Sequence, residues 1–413
     1  MKKLPLLSLT TITACSLHTS AYELHEWGTF TSISGSDGVL LNGMHLEEEN
    51  LPHFVHAFQG MNNLGPRMSK GMMRPLKNVT IKMETPVIYF YSDKPFTAKV
   101  QVGFEGGIIS QWYPNRTGGE LLPNIKKPAG FDSSRTAPYT PIKTETFEKS
   151  GGIDFAKKRT GSIEWEVDVL APDADRGLVF KPGEMLNWVR PRNPKANVLK
   201  VADEYEDYLF YRGVGNFSLP LTFTVDSKET IQISNTSSDN APFLFVHEIT
   251  EDRKTRFFSI KQGLKAGTSI DIPLTSLKTQ SHWQRPVYKE MVDGLTATGL
   301  TKEEANGMVQ TWWHSYFSRP GLRVFWVVPA KDTEQILPLS VSPAPEKTVR
   351  TLVGRSEIIR PSMERKMVQE FLNKDPKKSK WSRYLHDRFG PAYQQRVRQL
   401  TAEETASVQA GKN

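Results

Sequence analysis

The sequence predicts a mainly β protein, with one or two β-sandwich-like domains, a helical hairpin insert and a helical C-terminal tail. Three observations predict this fold class. Apolar and acidic residues alternate along 163–169, which is typical of a strand with one buried and one solvated face. Short β-branched and aromatic runs separated by turn residues recur through the chain. Helical periodicity is found only beyond residue 285.

The strands follow from this alternation. A long strand is predicted over 79–91, and Pro86 should interrupt it at an edge or a bulge. The residues 322–329 are apolar on both faces and should form a central strand. Further strands are expected at 97–104, 204–211, 217–225, 229–234, 242–249, 256–261 and 268–274.

The helices come late in the chain. Thr301 and Glu304 form a capping box, so a helix should run from there to about Phe317, after a shorter one near 286–298. Ser362 should cap an amphipathic helix that ends at Asp375-Pro376. One more short helix should follow, closed by Gly390.

Composition shifts divide the chain into segments. The stretches 114–160 and 172–200 are rich in Pro, Gly, Lys and Asn, which indicates long loops and a boundary near residue 200. We expect a signal peptide at 1–21, a β-rich domain with long loops at 22–200, a second β-rich domain at 201–345 with the helical insert 285–318, and a basic helical tail at 346–413.

The N-terminus predicts export. Lys2 and Lys3 precede an uncharged run over 4–14 that is too short to span a bilayer. Two processing sites compete: small residues before Tyr22, and a sequence ending at Cys15 that resembles a bacterial lipobox. Cys15 is the single cysteine, so both alternatives exclude disulfides and thiolate sites from the body. We expect an exported bacterial protein, either periplasmic or anchored to the outer membrane through Cys15.

The charge distribution argues against a nucleic-acid partner. The chain carries +8, but residues 361–413 hold 11 Lys/Arg against 6 Asp/Glu, and residues 22–360 carry only +1. A nearly neutral body is not the footprint of a nucleic-acid channel. The basic tail could instead lie on an anionic surface.

Several motifs occur as a set and in order: residues 25–32, 83–91, 112–114, 208–213 and 321–326. Together they resemble a family of uncharacterised exported bacterial proteins with the N-terminal signature His-Glu-Trp-Gly-Thr-Phe-Thr-Ser. The resemblance covers the chain from His25 to about Arg360. It implies export, and because the family has no known activity it assigns no catalytic residue.

Histidines and carboxylates near the N-terminus suggest a metal site. His25, His53 and His56 could hold Zn²⁺, or Fe²⁺ with open positions, and Glu26 or Glu84 would then act as the base. The spacing His53-x-x-His56 suits one face of a helical turn, but it lacks the glutamate of the zinc-protease motif. The alternative is that these side chains lie on a solvated strand face and in a loop.

Two other kinds of site compete with zinc. A group of methionines beside the histidines could favour Cu(I), although methionine is a common core residue; these are Met44, Met61, Met68, Met72 and Met73. The pair Glu26 and Glu84 could act as acid and base in a sugar or lactone hydrolase without metal.

Three residues are candidates for substrate contact. Trp27 and Trp188 could stack on sugar rings, and Trp188 lies in a loop-like segment that favours exposure. Arg212 ends an aromatic strand beside glycines, where it could clamp a carboxylate or sulfate. The alternative is that both indoles pack in a core and that the arginine holds its own loop.

Two functions remain. The first is a metal-assisted hydrolase or lyase that acts on a carbohydrate or another polar extracellular polymer. The second is a non-catalytic cell-envelope binding or assembly lipoprotein. The enzyme requires the named histidines and carboxylates to converge, whereas the binding protein predicts that they scatter.

Overall fold

The structure is a computed structural model that describes residues 21–46, 51–57, 76–121, 153–182, 184–280, 285–373, 375 and 377–410. The predicted signal peptide with Cys15, and the candidate ligands Met61, Met68, Met72 and Met73, lie outside the described residues.

Strands dominate this part of the chain. In chain order the first eleven are β1 (Tyr22–Ser34), β2 (His56–Ala57), β3 (Leu76–Lys77), β4 (Ile81–Met83), β5 (Val87–Ser92), β6 (Phe96–Glu105), β7 (Gly107–Tyr113), β8 (Ile153–Asp154), β9 (Thr160–Val169), β10 (Leu199–Val201) and β11 (Glu204–Glu206). The next ten are β12 (Leu209–Gly215), β13 (Leu221–Val225), β14 (Thr230–Asn235), β15 (Leu244–Ile249), β16 (Thr255–Ile260), β17 (Ser269–Pro273), β18 (Lys278–Gln280), β19 (Gly321–Val327), β20 (Leu339–Ser342) and β21 (Lys347–Ile358).

The helices are α1 (Leu186–Val189), α2 (Arg285–Thr296), α3 (Lys302–Phe317), α4 (Ala330–Ile336), α5 (Pro361–Leu372), α6 (Trp381–Leu385) and α7 (Gly390–Ala410). Short 3-10 turns lie at Arg176–Val179, Arg190–Arg192 and Leu274–Ser276. The mainly β prediction, with helices at the C-terminus, is confirmed.

One large sheet organises the described residues. Its eleven strands follow the order β18-β16-β15-β19-β21-β1-β4-β12-β7-β2, and β5 pairs with both β1 and β12. The central strand β1 runs parallel to β21 and antiparallel to β4 and β5. Three smaller sheets have the orders β11-β10-β9-β6-β20, β13-β14-β17 and β3-β8.

The two faces of the main sheet pack against different partners. Side chains alternate along β1, so Leu24 and Phe30 point to one core while Trp27 points to another. The first core joins the main sheet to the five-stranded and three-stranded sheets, as in a sandwich. We call the opposite side the helical face, because α2 and α3 cover one part of it and α5 and α7 cover the other.

Several predicted local features are confirmed. The hairpin of α2 and α3 lies between β18 and β19, and Thr301 and Glu304 form the capping box in both directions. Pro86 separates β4 from β5, so the predicted long strand is two strands that pair with β1 in succession.

The C-terminal prediction needs correction. The predicted helical tail at 346–413 begins with β21, which lies beside β1 in the centre of the sheet. Its charged residues interrupt the apolar pattern expected of a buried strand. They are buried all the same, because Arg350 pairs with Glu26 and Glu357 pairs with Arg323. Gly390 begins α7 instead of ending a helix, and α5 starts with Pro361 after Arg360 rather than at Ser362.

The boundary expected near residue 200 does not divide the sheets. Strands β1, β4, β5 and β7 come before it, and β12, β15, β19 and β21 come after it, yet all belong to the main sheet. The segments 22–200 and 201–345 therefore share one sheet and one core. Within the described ranges, none of the helices has the length and apolar character needed to cross a membrane.

Candidate functional site: a cationic cleft beside the C-terminal helices

The N-terminal motif places His25 on the helical face, where it is buried. Its Nδ1 lies 2.9 and 3.0 Å from the two carboxylate oxygens of Glu304, and its Nε2 lies 3.3 Å from Glu23. Tyr91 donates a hydrogen bond of 2.8 Å to Glu304, and the Thr301 amide donates another of 2.7 Å. The imidazole thus fastens the start of α3 to the central strand.

The other two candidate metal ligands lie elsewhere. His56 is on β2, whose partner is β7, and its Nε2 lies 2.8 Å from Glu204. His53 is exposed in the preceding turn, so the two histidines do not share the face of a helix. Met44 is buried in the core under the C-terminal helices.

The described residues contain no group of three or more His, Cys, Asp or Glu side chains that could hold a metal ion. The predicted set of His25, His53 and His56 is therefore not assembled. The physical reason is topological, since β1 lies at the centre of the sheet while β2 lies at its edge.

The predicted catalytic carboxylates do not meet either. Glu26 points into the sandwich core, where Tyr211 donates a hydrogen bond of 2.6 Å and the Arg350 Nε donates another of 2.6 Å. Glu84 lies on the helical face, 3.5 Å from the Lys82 ammonium. Glu26 on β1 therefore faces one side of the sheet, and Glu84, which directly follows the end of β4, lies on the other side beside Lys82.

The predicted substrate contacts are core residues. Trp27 is fully buried against Tyr89. Trp188 is buried, and its indole nitrogen donates a hydrogen bond of 2.9 Å to Glu206. Arg212 is buried and donates to the side-chain oxygen of Gln111. The expectation that these side chains are accessible to a substrate is wrong, because the helical layer covers them.

An opening lies on the helical face, between the end of α3 and the C-terminal helices. It is a cleft with a volume of about 760 Å³. One wall consists of His314, Ser318 and Arg319 at the end of α3, and the opposite wall is built from α5, α6 and the start of α7. The ends of β15, β19 and β21 form its floor. We call this opening the cleft.

Cations outnumber carboxylates among the lining residues. Six basic side chains line the cleft: Arg253, Arg319, Arg360, Lys366, Arg383 and Arg388. Four carboxylates line it: Glu248, Glu251, Glu357 and Asp387.

Ion pairs account for only part of this charge. Arg360 pairs with Glu248 at 2.8 Å, Lys366 with Glu251 at 2.6 Å, and Arg388 approaches Glu357 at 3.7 Å. The Arg253 guanidinium donates to the carbonyl of Ser318. In the part of the chain that the structure describes, the exposed side chains of Arg319 and Arg383 contact no carboxylate.

The floor of the cleft is also rich in arginine. A single oxygen of Glu357 lies 3.0 Å from the Nε of Arg323, 2.6 Å from the Nη2 of Arg355 and 3.7 Å from Arg388. Arg323 and Arg355 are fully buried. One carboxylate therefore faces three guanidiniums, so this cluster carries an excess of positive charge.

Helix α3 offsets part of this excess. Arg323 donates to the carbonyl of Tyr316 and Arg388 to that of Ser315, both in the last turn of α3, where the helix dipole is negative. Arg355 lies over the ring of Tyr316 with its guanidinium carbon 4.3 Å from the centroid, a cation–π contact.

Burial and neighbouring charges of opposite sign act in opposite directions on the pKa values of Arg323 and Glu357. Burial lowers the pKa of Arg323 to about 10, even though Glu357 opposes the shift. Burial alone would raise the pKa of the Glu357 carboxyl, but the guanidiniums of Arg323, Arg355 and Arg388 outweigh it and hold this pKa below its usual value. The carboxylate is therefore ionised at neutral pH.

Sequence reasoning did not find the cleft. Its residues come from segments near 250, 320, 357 and 385, and the motif 321–326 in one of them contributes only Gly321 and Leu322 to the lining. The one available signal was the basic composition of residues 361–413, which supply Lys366, Arg383 and Arg388.

Comparisons with known proteins do not identify a family. No family model matches the chain, and no curated protein matches it. Among solved structures, the chain is similar to a yeast delta-COP-I mu-homology domain complexed with a Dsl1 WxWxV peptide. The sequence identity is 8% and the TM-score 0.23, over 82% of this chain and 96% of that chain. A TM-score this low carries no argument about fold or function.

Proposed function

We propose that this protein is an exported cell-envelope binding protein that holds an anionic ligand in the cleft. One observation carries the proposal: the cleft has more cations than carboxylates, and the side chains of Arg319 and Arg383 have no carboxylate partner among the described residues. Export rests on the signal-like sequence of residues 1–21, and Cys15 would supply an anchor to the outer membrane.

The placement of the earlier candidates favours binding over catalysis. An enzyme built on His25, His53, His56, Glu26 and Glu84 requires these groups to converge, and they lie on different strands and faces. In the binding protein the same side chains serve the fold, as the contacts of His25 with Glu304 and of Glu26 with Arg350 illustrate.

The chemistry of the cleft suits a ligand with carboxylate, phosphate or sulfate groups. A guanidinium can donate two parallel hydrogen bonds to such a group, which gives geometric selectivity as well as charge. The volume of about 760 Å³ falls in the range of sites that hold small molecules or a few units of a polymer. An acidic polysaccharide of the cell envelope is the ligand class that combines these properties with export.

The test is a binding titration of the purified protein with an oligogalacturonate, a neutral malto-oligosaccharide of equal length and inorganic phosphate. We expect the oligogalacturonate to bind and the neutral sugar not to bind. Changing Arg319→Gln and Arg383→Gln together should weaken oligogalacturonate binding by about tenfold or more, since each charge-assisted hydrogen bond contributes roughly 1 kcal/mol at an exposed position.

The matched control removes two exposed lysines far from the cleft. Lys302 lies at the start of α3, at the opposite end of that helix from Arg319, and Lys99 lies on β6 of the five-stranded sheet, which packs on the other side of the main sheet. The double change Lys302→Gln and Lys99→Gln should leave binding unchanged. Equal binding of the acidic and neutral sugars, or an equal loss in both double variants, would contradict the proposal.

A further inference from the structure

The corner formed by the end of α5 and by α6 exposes large apolar side chains. Phe371 is 39% exposed, Leu372 57% and Leu385 41%. The ring of Phe371 meets that of Trp381 edge to face at 5.3 Å, and Trp381 lies 5.7 Å from Tyr384. These contacts hold the two helices together, so the exposed residues belong to one packed corner. We call it the α5–α6 corner.

The same corner is strongly basic. Residues 370–385 hold five Lys/Arg and two Asp/Glu. One carboxylate, Glu370, accepts from the backbone amide of Lys380, and the other, Asp375, lies 3.6 Å from the Lys378 ammonium. Among the residues described here, the exposed side chains of Lys377 and Lys380 contact no carboxylate.

We infer that the α5–α6 corner docks on an anionic lipid surface. Exposed leucine and phenylalanine side chains can enter the interface between headgroups and acyl chains, while neighbouring lysines stay near the lipid phosphates. The half-buried indole of Trp381 lies at the same corner, and tryptophan favours this interfacial depth.

Charge selects the lipid over other occupants. A second copy of this chain would bring the same lysines together, and like charges repel at such an interface. An anionic bilayer offers negative charge and an apolar layer together, which matches both components of the corner.

The inference goes beyond the anionic ligand of the cleft and does not depend on it. The two sites share helices, since Lys366 and Tyr384 line the cleft from α5 and α6. Docking at the corner would therefore hold the cleft close to the lipid surface. The variants below leave Arg319 and Arg383 unchanged, so failure of one proposal can be distinguished from failure of the other.

The experiment is co-sedimentation of the purified full chain with two kinds of vesicle. One kind contains phosphatidylglycerol mixed with phosphatidylcholine, and the other contains phosphatidylcholine alone. We expect binding to the anionic vesicles only, weakened by added salt. The pair Lys377→Gln and Lys380→Gln should reduce the partition coefficient by about 25-fold, since each basic residue near an anionic surface is worth about fivefold.

The apolar component is tested by Leu372→Asn with Leu385→Asn, which should reduce partitioning by about tenfold or more. Leu178→Asn with Leu186→Asn is the matched control, because these leucines are 41% and 71% exposed but lie outside the corner. Circular dichroism should show each variant folded.

Three results would overturn the inference. The first is equal binding to both kinds of vesicle, or to neither. The second is wild-type partitioning by the Leu372 and Leu385 variant. The third is a concentration-dependent dimer that disappears in this variant, because it would assign the corner to a second copy of the chain.

Discussion

The surroundings of His25 and of Glu357 lie on the same helical face of the main sheet, yet their charges are balanced differently. Around His25, one carboxylate, Glu304, accepts from the imidazole, from the Tyr91 hydroxyl and from the helix cap. Around Glu357, one carboxylate faces three guanidiniums, and the cleft above it contains further arginines. The first network is complete within the chain, whereas the second leaves positive charge that a ligand can meet.

Structural and functional polar residues differ in whether their charges are balanced within the chain. The motif at 25–32 is conspicuous in sequence, but its ionisable side chains, His25 and Glu26, are partnered by other residues of the chain. The cleft is inconspicuous in sequence, but its charges are not balanced. Buried polar groups with complete internal partners stabilise a fold, while an excess of one charge beside an opening favours a partner from outside.

The largest effect should come from Glu357→Gln, which removes the carboxylate that faces the guanidiniums of Arg323, Arg355 and Arg388. Leaving such buried charges without compensation should lower the free energy of unfolding by about 3–5 kcal/mol. Urea denaturation measures the change. The control is Glu166→Gln, which breaks an exposed pair with Lys99 and should cost no more than about 0.5 kcal/mol. A similar loss of unfolding free energy in the two variants would show that Glu357 does not stabilise the arginine cluster.

A smaller loss is expected from Glu304→Gln, which disrupts the contacts of Glu304 with His25, Tyr91 and the helix cap. We expect the free energy of unfolding to fall by about 2 kcal/mol, because buried donors lose a charged acceptor. The neighbouring Glu303, exposed in the same helical turn, provides the control Glu303→Gln with little change. Unchanged stability together with altered ligand binding would assign the His25 network to function instead of structure.

The smallest effect should come from Trp188→Phe. The ring still fills its place beside Phe54 and Phe210, but the hydrogen bond to Glu206 is lost, which should cost about 1 kcal/mol. Oligogalacturonate binding should stay at the wild-type level, since Trp188 does not line the cleft. The half-buried Trp313 gives the comparison variant Trp313→Phe, with a smaller expected loss. Weakened sugar binding by the Trp188 variant alone would reopen its role as a substrate contact.

Local patterns predicted most of the strands and the helical hairpin. Alternation along 163–169 and the break at Pro86 depend on neighbours within a few residues, as does the capping box at Thr301 and Glu304. Strand β21 escaped prediction because Arg350, Arg355 and Glu357 resemble surface residues. In the interior, Arg350 pairs with Glu26 of β1 and Glu357 with Arg323 of β19. Arg355 pairs with Glu357 of its own strand and lies over the ring of Tyr316 in α3.

The candidate site was even less accessible to sequence reasoning. Trp188 and Arg212 lie in segments that suggest exposure, and the helices that bury them come from residues more than 90 positions later. The cleft gathers residues from four distant segments, and its basic side chains lie outside the motifs found in the sequence.

Neighbouring residues and composition are enough to predict the mainly β class of fold, the capping box that starts α3 and the concentration of basic charge near the C-terminus. Three features follow from the folded arrangement alone: β21 lies beside β1, the N-terminal histidines are kept apart, and arginines of distant strands and helices meet at one cleft. Coulomb interaction and burial act through space, so the balance of charge at a site is settled only when the chain has folded.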